Sequence, residues 1–231
     1  MYLPAHFEET RLEVLHTFVQ QHPFGLLVTQ GAEGLSANAI PFLLDTDGPA
    51  GLGTLRGHVA RANPVWRDAG AGPALVVFQG AHGYVSPSWY PSKAEHGKVV
   101  PTWNYLLVQA RGALRAIDDR DWLRTLVTRL TARHETGREA PWAVSDAPAD
   151  YVDSMLGAIV GIEIGLSALV GKWKLSQNRT AADRAGVVAG LAATRTEEGS
   201  VLSRAMVDAA GDGSAARAGQ GVPRIPGKSG P

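Results

Sequence analysis

The chain has no cysteine among its 231 residues. Disulfides, cysteine-ligated zinc and a thiol nucleophile are therefore excluded, and no oxidising compartment is needed. It also lacks an excess of either charge, since 22 basic residues balance 22 acidic ones. A protein that grips nucleic acid over its whole surface would be strongly basic, so only a local patch stays open. No segment approaches the run of about eighteen apolar residues that a membrane span needs. The N-terminal "MYLPAHFEETRLE" carries Glu8, Glu9 and Glu13 where a secretory signal would be basic and then apolar. A cytoplasmic protein without membrane contact is the expectation. "GxSxG", "GxxxxGKS" and "HExxH" are all missing, which leaves hydrolase, nucleotide triphosphatase and divalent-metal readings without support. No metal site is expected.

What the chain does have is a concentration of rings. "YVSPSWYPSKAEHGKVVPTWNY", Tyr84 to Tyr105, holds five of the sixteen aromatic residues. Pro87, Pro91 and Pro101 deny this stretch a continuous helix or central strand, and Gly97 loosens it further. It reads as a long ordered loop, too aromatic for disorder, and raises the prospect of a flat, partly polar ligand.

Around it the pattern is mainly β. Leu12, Leu15, Phe18 and Val19 recur at helical spacing before Pro23 and predict a first helix. Short apolar runs then follow, "FGLLVTQ", "LSANAIPFLLD", "AGLGTLRGHV" and "ALVVFQG", separated by turn residues, which suggests an antiparallel meander. "ANPVWRDAG" predicts a short helix capped by Asn63 with Pro64 in its first position. Trp122, Leu123, Leu126, Val127 and Leu130 share one helical face, and Asp118, Asp119 and Asp121 before them read as partners of that helix's dipole. Strands with peripheral helices fit a small closed or partly closed barrel, although a sandwich has the same pattern. From Thr194 the composition turns to Ala, Gly, Ser, Arg and Pro. The reading is one domain over 1–193 and a flexible tail over 194–231.

Three places could carry chemistry. In "RGHVARANPVW", free amides leading into a helix N-terminus would suit an anion such as phosphate, with Arg56, His58 and Arg61 around it; solvated loop residues are the bland alternative. His58 could instead be an axial haem ligand, since imidazole suits iron when one ring nitrogen is free. His82, beside Gly80 and Gly83, shares that ambiguity. In "GKWKLSQNR", Lys174, Gln177 and Asn178 supply a cation and amides suited to the edge of a heterocycle or a phosphate. There the bland alternative is capping of the final helix by Ser176 or Asn178.

Taken in order, "MYLPAHF", "GHVARANPVW", "YVSPSWYPSK", "VPTWNY", "IVGIEI" and "KLSQNR" resemble the PaiB family of FMN-binding negative transcriptional regulators, from Met1 to about Leu191. The resemblance implies a split β-barrel of the pyridoxamine phosphate oxidase kind, working as a homodimer with two sites at the subunit interface. It implies FMN, its phosphate held by the segment of Arg56, His58, Val59, Arg61 and Asn63. Trp89, Tyr90, Lys93 and Trp103 would wall the flavin, and Lys174, Gln177 and Asn178 would reach the flavin of the other subunit. The chain departs from the family where histidines are expected after "VPTWNY", carrying Gln109 and Arg111 instead. Three functions follow as expectations. One is an FMN-binding regulator with a DNA or regulatory-protein partner, another a flavin-dependent oxidoreductase, and the third a haem enzyme similar to piperazate synthase with His58 on the iron. No helix-turn-helix pattern supports direct DNA contact.

Overall fold

Alternating burial decides which segments become strands. The computed structural model describes residues 1–48 and 51–218, with side chains to 211. Its strands are β1 Glu8–Glu9, β2 Phe24–Gly31, β3 Gly34–Pro41, β4 Leu43–Asp45, β5 Thr54–Ala60, β6 Pro73–Val85, β7 Thr102–Ile117 and β8 Ile159–Lys174. The helices are α1 Leu12–Gln21, α2 Ser92–His96, α3 Arg120–Glu135, α4 Ala149–Gly157, α5 Ala181–Ala193 and α6 Glu197–Ala218. Contacts divide the chain into two compact units, where one domain was expected: Met1–Gly80 with Leu107–Lys172, and Ala81–Leu106 with the chain from Trp173 onward.

The first unit is built on the sheet, whose strand order is β3-β2-β6-β7-β8-β5-β4 with β1 on β8. Two neighbours are local hairpins, β2 with β3 and β4 with β5. The remaining pairings are not sequential: β2 also pairs β6, and β5 runs along β8 from Thr54 opposite Gly165 to Ala60 opposite Ile159. This corrects the expected meander, because a period of two identifies strands but says nothing about distant partners. Val160, Ile162, Ile164 and Leu166 of β8 and Leu55 and Val59 of β5 turn into the core. Helix α3 begins as its acidic lead-in predicts, with Asp119 Oδ1 accepting from the Trp122 N–H at 2.8 Å. Its Leu126 and Leu130 pack on Leu43, while Leu123 packs on Val152 and Leu156 of α4.

In the second unit the aromatic stretch is less of a loop than expected. Tyr84 ends up in β6, and Trp103 and Tyr105 in β7, leaving 86–101 as the connection. The prolines serve as starts here. Pro87 opens a 3₁₀ turn at Pro87–Trp89, capped by Ser86 Oγ accepting from Ser88 N–H at 3.2 Å, and Pro91 precedes α2. Gly97, at φ 67°, closes α2 in the left-handed conformation that favours glycine.

The tail expected from 194 is corrected over its first half. Residues 197–218 form α6, with Leu202 wholly enclosed and Met206 buried against the unit that also encloses Val187 and Leu191 of α5. Leu202 and Met206 are four residues apart and so share a face, and the alanines around them are strong helix formers. Too few large apolar residues stood out in the sequence for that stripe to be read. Residues 219–231 of the expected tail lie outside the described residues.

Candidate functional site

Strand β5 positions the first group of expected site residues. Its alternation points Leu55, Gly57 and Val59 inward and leaves Arg56 and His58 on the other face. Arg56 donates through Nε to Glu163 at 2.9 Å and also binds Asp45. Asp45 is shared with Arg129, and Glu163 with Arg115, so Arg56 sits inside a chain of ion pairs. Arg129 first, then Arg56, hold the Asp45 carboxyl below its usual range against the opposing effect of burial.

In the turn after β5, the donors of Arg61 and Asn63 are held by protein groups. Arg61 donates through Nε to the Gly157 carbonyl at 2.8 Å, through NH1 and NH2 to Asp118 at 2.9 and 2.6 Å, and through NH2 to the Ile159 carbonyl at 3.0 Å. The Arg61 N–H goes to the Ala158 carbonyl and the Asn63 N–H to the Ala60 carbonyl. Asn63 Oδ1 accepts from the Val65 N–H at 3.0 Å, as the cap reading predicts, and its Nδ2 donates to Asn38. The helix that follows is a 3₁₀ turn of five residues, too short to build up much dipole. Asp118, just ahead of α3, is also the partner of Arg61. Val59 is core.

His58 has a different setting. It lines a cavity of about 290 Å³ between β5, α3 and α4. Its Nδ1 is enclosed with no hydrogen-bond partner among the described residues. Burial lowers its pKa, so the ring is neutral near pH 7.

In the second unit, Tyr90 is buried and Trp89 is half-buried against α5. A Cβ on Gly190 would lie 2.2 to 2.5 Å from the Trp89 indole, and one on Gly186 2.0 Å from the Trp89 carbonyl oxygen, so the two glycines of α5 form a notch for Trp89. Tyr90 is 2% exposed and carries the Arg179 guanidinium 5.0 Å from its ring centre. Neither ring faces outward as a flavin wall would. Trp103 does, being 51% exposed, and it stands 5.5 Å from His82 and 6.4 Å from Tyr84, ring centre to ring centre. Strand periodicity explains the cluster: His82 and Tyr84 share one face of β6, while Gly83 and Val85 share the opposite one. The clue was available as two rings separated by one glycine, but the loop reading of the stretch hid it.

Lys174 lies beside these rings, donating to Thr102 Oγ1 at 2.6 Å and to the Trp103 carbonyl, with Nζ 6.0 Å from the Tyr105 ring centre. Gln177 folds back locally, accepting from the Leu175 N–H at 2.7 Å and donating to the Trp173 carbonyl at 2.6 Å, around Ser176 at φ 62°. Lys93 is exposed and donates to Ser88 Oγ. Asn178 lines a cavity of about 590 Å³ with His96, Lys98, Arg179 and Thr180, at the start of α5. Asp183 in its wall is occupied, accepting from the Ser92 N–H and Oγ at 3.1 and 2.9 Å. Lys174 of the sequence reading thus meets Trp103, while Asn178 lines a cavity whose wall includes none of the three rings. Gln109 and Arg111, which replace the expected histidines, are partly buried on β7, with Arg111 donating to Gln109 at 3.4 Å.

The antiparallel sheet with its flanking helices places this chain in the class of split β-barrels. The solved FAD and haem binding protein from Mycobacterium smegmatis shares the fold, at TM-score 0.54 and 18% identity over 77% of this chain and 78% of that one. The family model described as "Putative FMN-binding domain" matches residues 1–168, and the chain belongs to that family. It is 33% identical to protease synthase and sporulation protein PAI 2 of Bacillus subtilis over 81% of this chain and 87% of that protein, as the six sequence words anticipated. Protein AN0679 of Emericella nidulans is 34% identical over 88% of this chain and 95% of its own.

FMN needs a flat apolar face for its rings and donors for its phosphate. In the segment 56–63, Arg56, Arg61 and the Arg61 and Asn63 amides are held by protein groups. The second unit offers an exposed cluster of three rings, His82 and Tyr84 tilted at 39° and 75° to Trp103, with Lys174 beside it, and a polar cavity lined by Lys98 and Arg179 together with Glu95 and Asp183. Among the described residues no helix is long and apolar enough to cross a membrane.

Proposed function

We propose that this chain binds FMN through its second unit and acts as a flavin-dependent regulator of the PaiB type. His82, Tyr84 and Trp103 would carry the isoalloxazine, and Lys98, Asn178 and Arg179 would draw the phosphate. The observation that carries this reading is the exposed three-ring face in a chain of an FMN-binding family. Bound flavin supplies the capacity to accept and return electrons. The protein's part is to hold the ring flat, to set a positive charge near it through Lys174, and to keep Trp103 in place through the bond from Lys174 to its carbonyl. The regulator works as a homodimer whose flavin state is read by a DNA or protein partner. The balanced charge of the chain favours a protein reader over direct operator contact.

The first test is the visible spectrum of the purified protein, before and after added FMN. Oxidised-flavin bands that survive gel filtration support the reading, and a protein left colourless refutes it. Titration against its own upstream DNA at two salt concentrations tests the partner: a steep, sequence-independent loss with salt is phosphate attraction alone. Sedimentation of the flavin-loaded protein tests the dimer.

Haem is the second reading, favoured by the neutral His58 ring at the wall of an apolar cavity. The M. smegmatis neighbour's name includes haem. At about 290 Å³ the cavity lies at the low end of ligand pockets, so a macrocycle would have to open it. A Soret band on adding haemin, lost in His58→Ala, would decide for it.

A further inference from the structure

The start of β7, which carries Trp103, and the loop from Trp173 to Arg179 are far apart in the chain, and one buried side chain ties them together. Along β7 the side chains alternate, so Trp103 stands 51% exposed while Asn104, next to it, is fully enclosed. Asn104 Oδ1 accepts from the Ser176 hydroxyl at 3.2 Å, and Asn104 Nδ2 donates to the Met206 sulfur of α6 at 3.4 Å. A thioether has no proton to give, so the sulfur fixes which end of the amide faces α6 and leaves the oxygen for Ser176. Burying an amide is costly and a thioether is a weak acceptor, so contact with α6 alone would be served better by an apolar side chain. The amide is there for Ser176.

Ser176 is itself buried and holds φ 62°. That left-handed conformation is uncommon for a residue with a Cβ and persists only where the surroundings enforce it. The loop closes around it: the Leu175 N–H donates to Gln177 Oε1 at 2.7 Å, Gln177 Nε2 to the Trp173 carbonyl at 2.6 Å, and the Arg179 N–H to the Ser176 carbonyl at 3.0 Å. The turn decides where its neighbours go. Lys174 ahead of it meets Thr102 and the Trp103 carbonyl, and Asn178 and Arg179 after it line the polar cavity.

We propose that Asn104 is a positioning residue of the flavin site, holding Ser176 in its left-handed turn so that Lys174 stays at the rings while Asn178 and Arg179 stay at the cavity. This rests on the reading that FMN occupies the second unit. Asn104 is enclosed and does not meet the ligand; it acts through Ser176. Satisfied buried polar networks of this kind specify one arrangement of the chain around them.

Three variants of the full-length protein test it. Asn104→Leu keeps the branched shape and removes both hydrogen bonds, and Ser176→Ala removes only the bond between the two residues. In Asn104→Leu combined with Ser176→Gly, glycine takes the left-handed turn unaided. Without ligand, hydrogen exchange at the Leu175 and Arg179 amides should quicken in the two single variants, while the Leu126 amide of α3 keeps its protection. In FMN titrations each single variant should bind roughly three- to tenfold more weakly, the worth of one hydrogen bond, and the combined variant should recover most of that loss. A residue that only supports the fold would lower the melting temperature, leave the affinity of the folded protein unchanged and gain nothing from glycine. Unchanged exchange at the turn, unchanged FMN affinity in both single variants, or a combined variant no better than Asn104→Leu would overturn the proposal. If Asn104→Leu fails to fold, Ser176→Ala decides the matter. If the unaltered protein takes up no FMN, the flavin reading has failed and the assignment falls with it, whereas unchanged affinity in variants of a protein that does bind FMN overturns the assignment alone.

Discussion

Arg61 and Asp118 are joined by two parallel hydrogen bonds, NH1 to Oδ2 and NH2 to Oδ1, while the remaining Arg61 donors reach the carbonyls of Gly157 and Ile159. The arginine that the sequence offers as a phosphate anchor ties the end of β5 to the entries of α3 and β8. Arg61→Ala should lower the melting temperature and leave the FMN dissociation constant within about twofold of its original value, since a change of that size is well under one hydrogen bond. A tenfold weaker FMN complex at unchanged stability would restore the phosphate role.

Trp103→Ala should weaken FMN by about 1 to 2 kcal/mol, the loss of one stacked ring, with little change in stability because the indole is half exposed. Trp89→Ala should do the reverse, lowering stability by about 3 kcal/mol and leaving FMN binding to the folded fraction intact. Flavin fluorescence quenching and denaturant titration on the two variants separate these outcomes.

Glycine to alanine at two helical positions should have opposite signs. At Gly190 the new methyl would meet the Trp89 ring at 2.2 to 2.5 Å, so overpacking of about 1 to 3 kcal/mol outweighs the gain in helix propensity of about 1 kcal/mol. At Gly211 of α6 nothing lies within 4 Å, and the same change should stabilise by about 0.5 to 1 kcal/mol. Paired urea midpoints check both.

Removing the chain after Thr194 should destabilise the second unit, because Leu202 and Met206 leave and Val187 and Leu191 lose their cover. Each such side chain is worth about 1.5 to 3 kcal/mol of burial. Hydrogen exchange at α5 amides should accelerate. Unchanged protection would mean that α6 contributes nothing.

Asp45 gives the first unit a defined acid limit. Its carboxyl is held below the ordinary aspartate value of about 3.9 by Arg129 and then Arg56. A depressed folded-state pKa contributes stability that is fully present above the unfolded value and is lost as pH falls through the folded one. Stability should therefore drop more steeply below about pH 4 in the unaltered protein than in Asp45→Asn, read as melting temperature against pH.

The sequence told most about what is decided locally. "GTLRGHVA" alternates and is β5; the spacing of Leu123, Leu126 and Leu130 is the buried stripe of α3; Asn63 and Asp119 are caps because their side-chain oxygens reach amides two or three residues on. Six short motifs in register were enough for the family. What failed was decided at a distance. Nothing near Arg61 announces Asp118, 57 residues later, and nothing near Trp89 announces that Gly186 and Gly190 hollow out a place for it. The strand order is hidden for the same reason. Helix α6 was missed on a different ground, since two anchoring side chains in an alanine-rich run carry too weak a pattern to separate from a solvated tail.

The alternation of β6 has a last consequence. His82 and Tyr84 look outward because Gly83 and Val85 look inward, where a side chain at 83 would meet Leu202 at 3.1 Å. Inserting or deleting a single residue between 81 and 85 would turn the rings toward the helices and the glycine toward solvent. Divergence in this lineage can therefore retune the ring surface by exchanging one side chain for another, while changes of length at that strand end are closed to it.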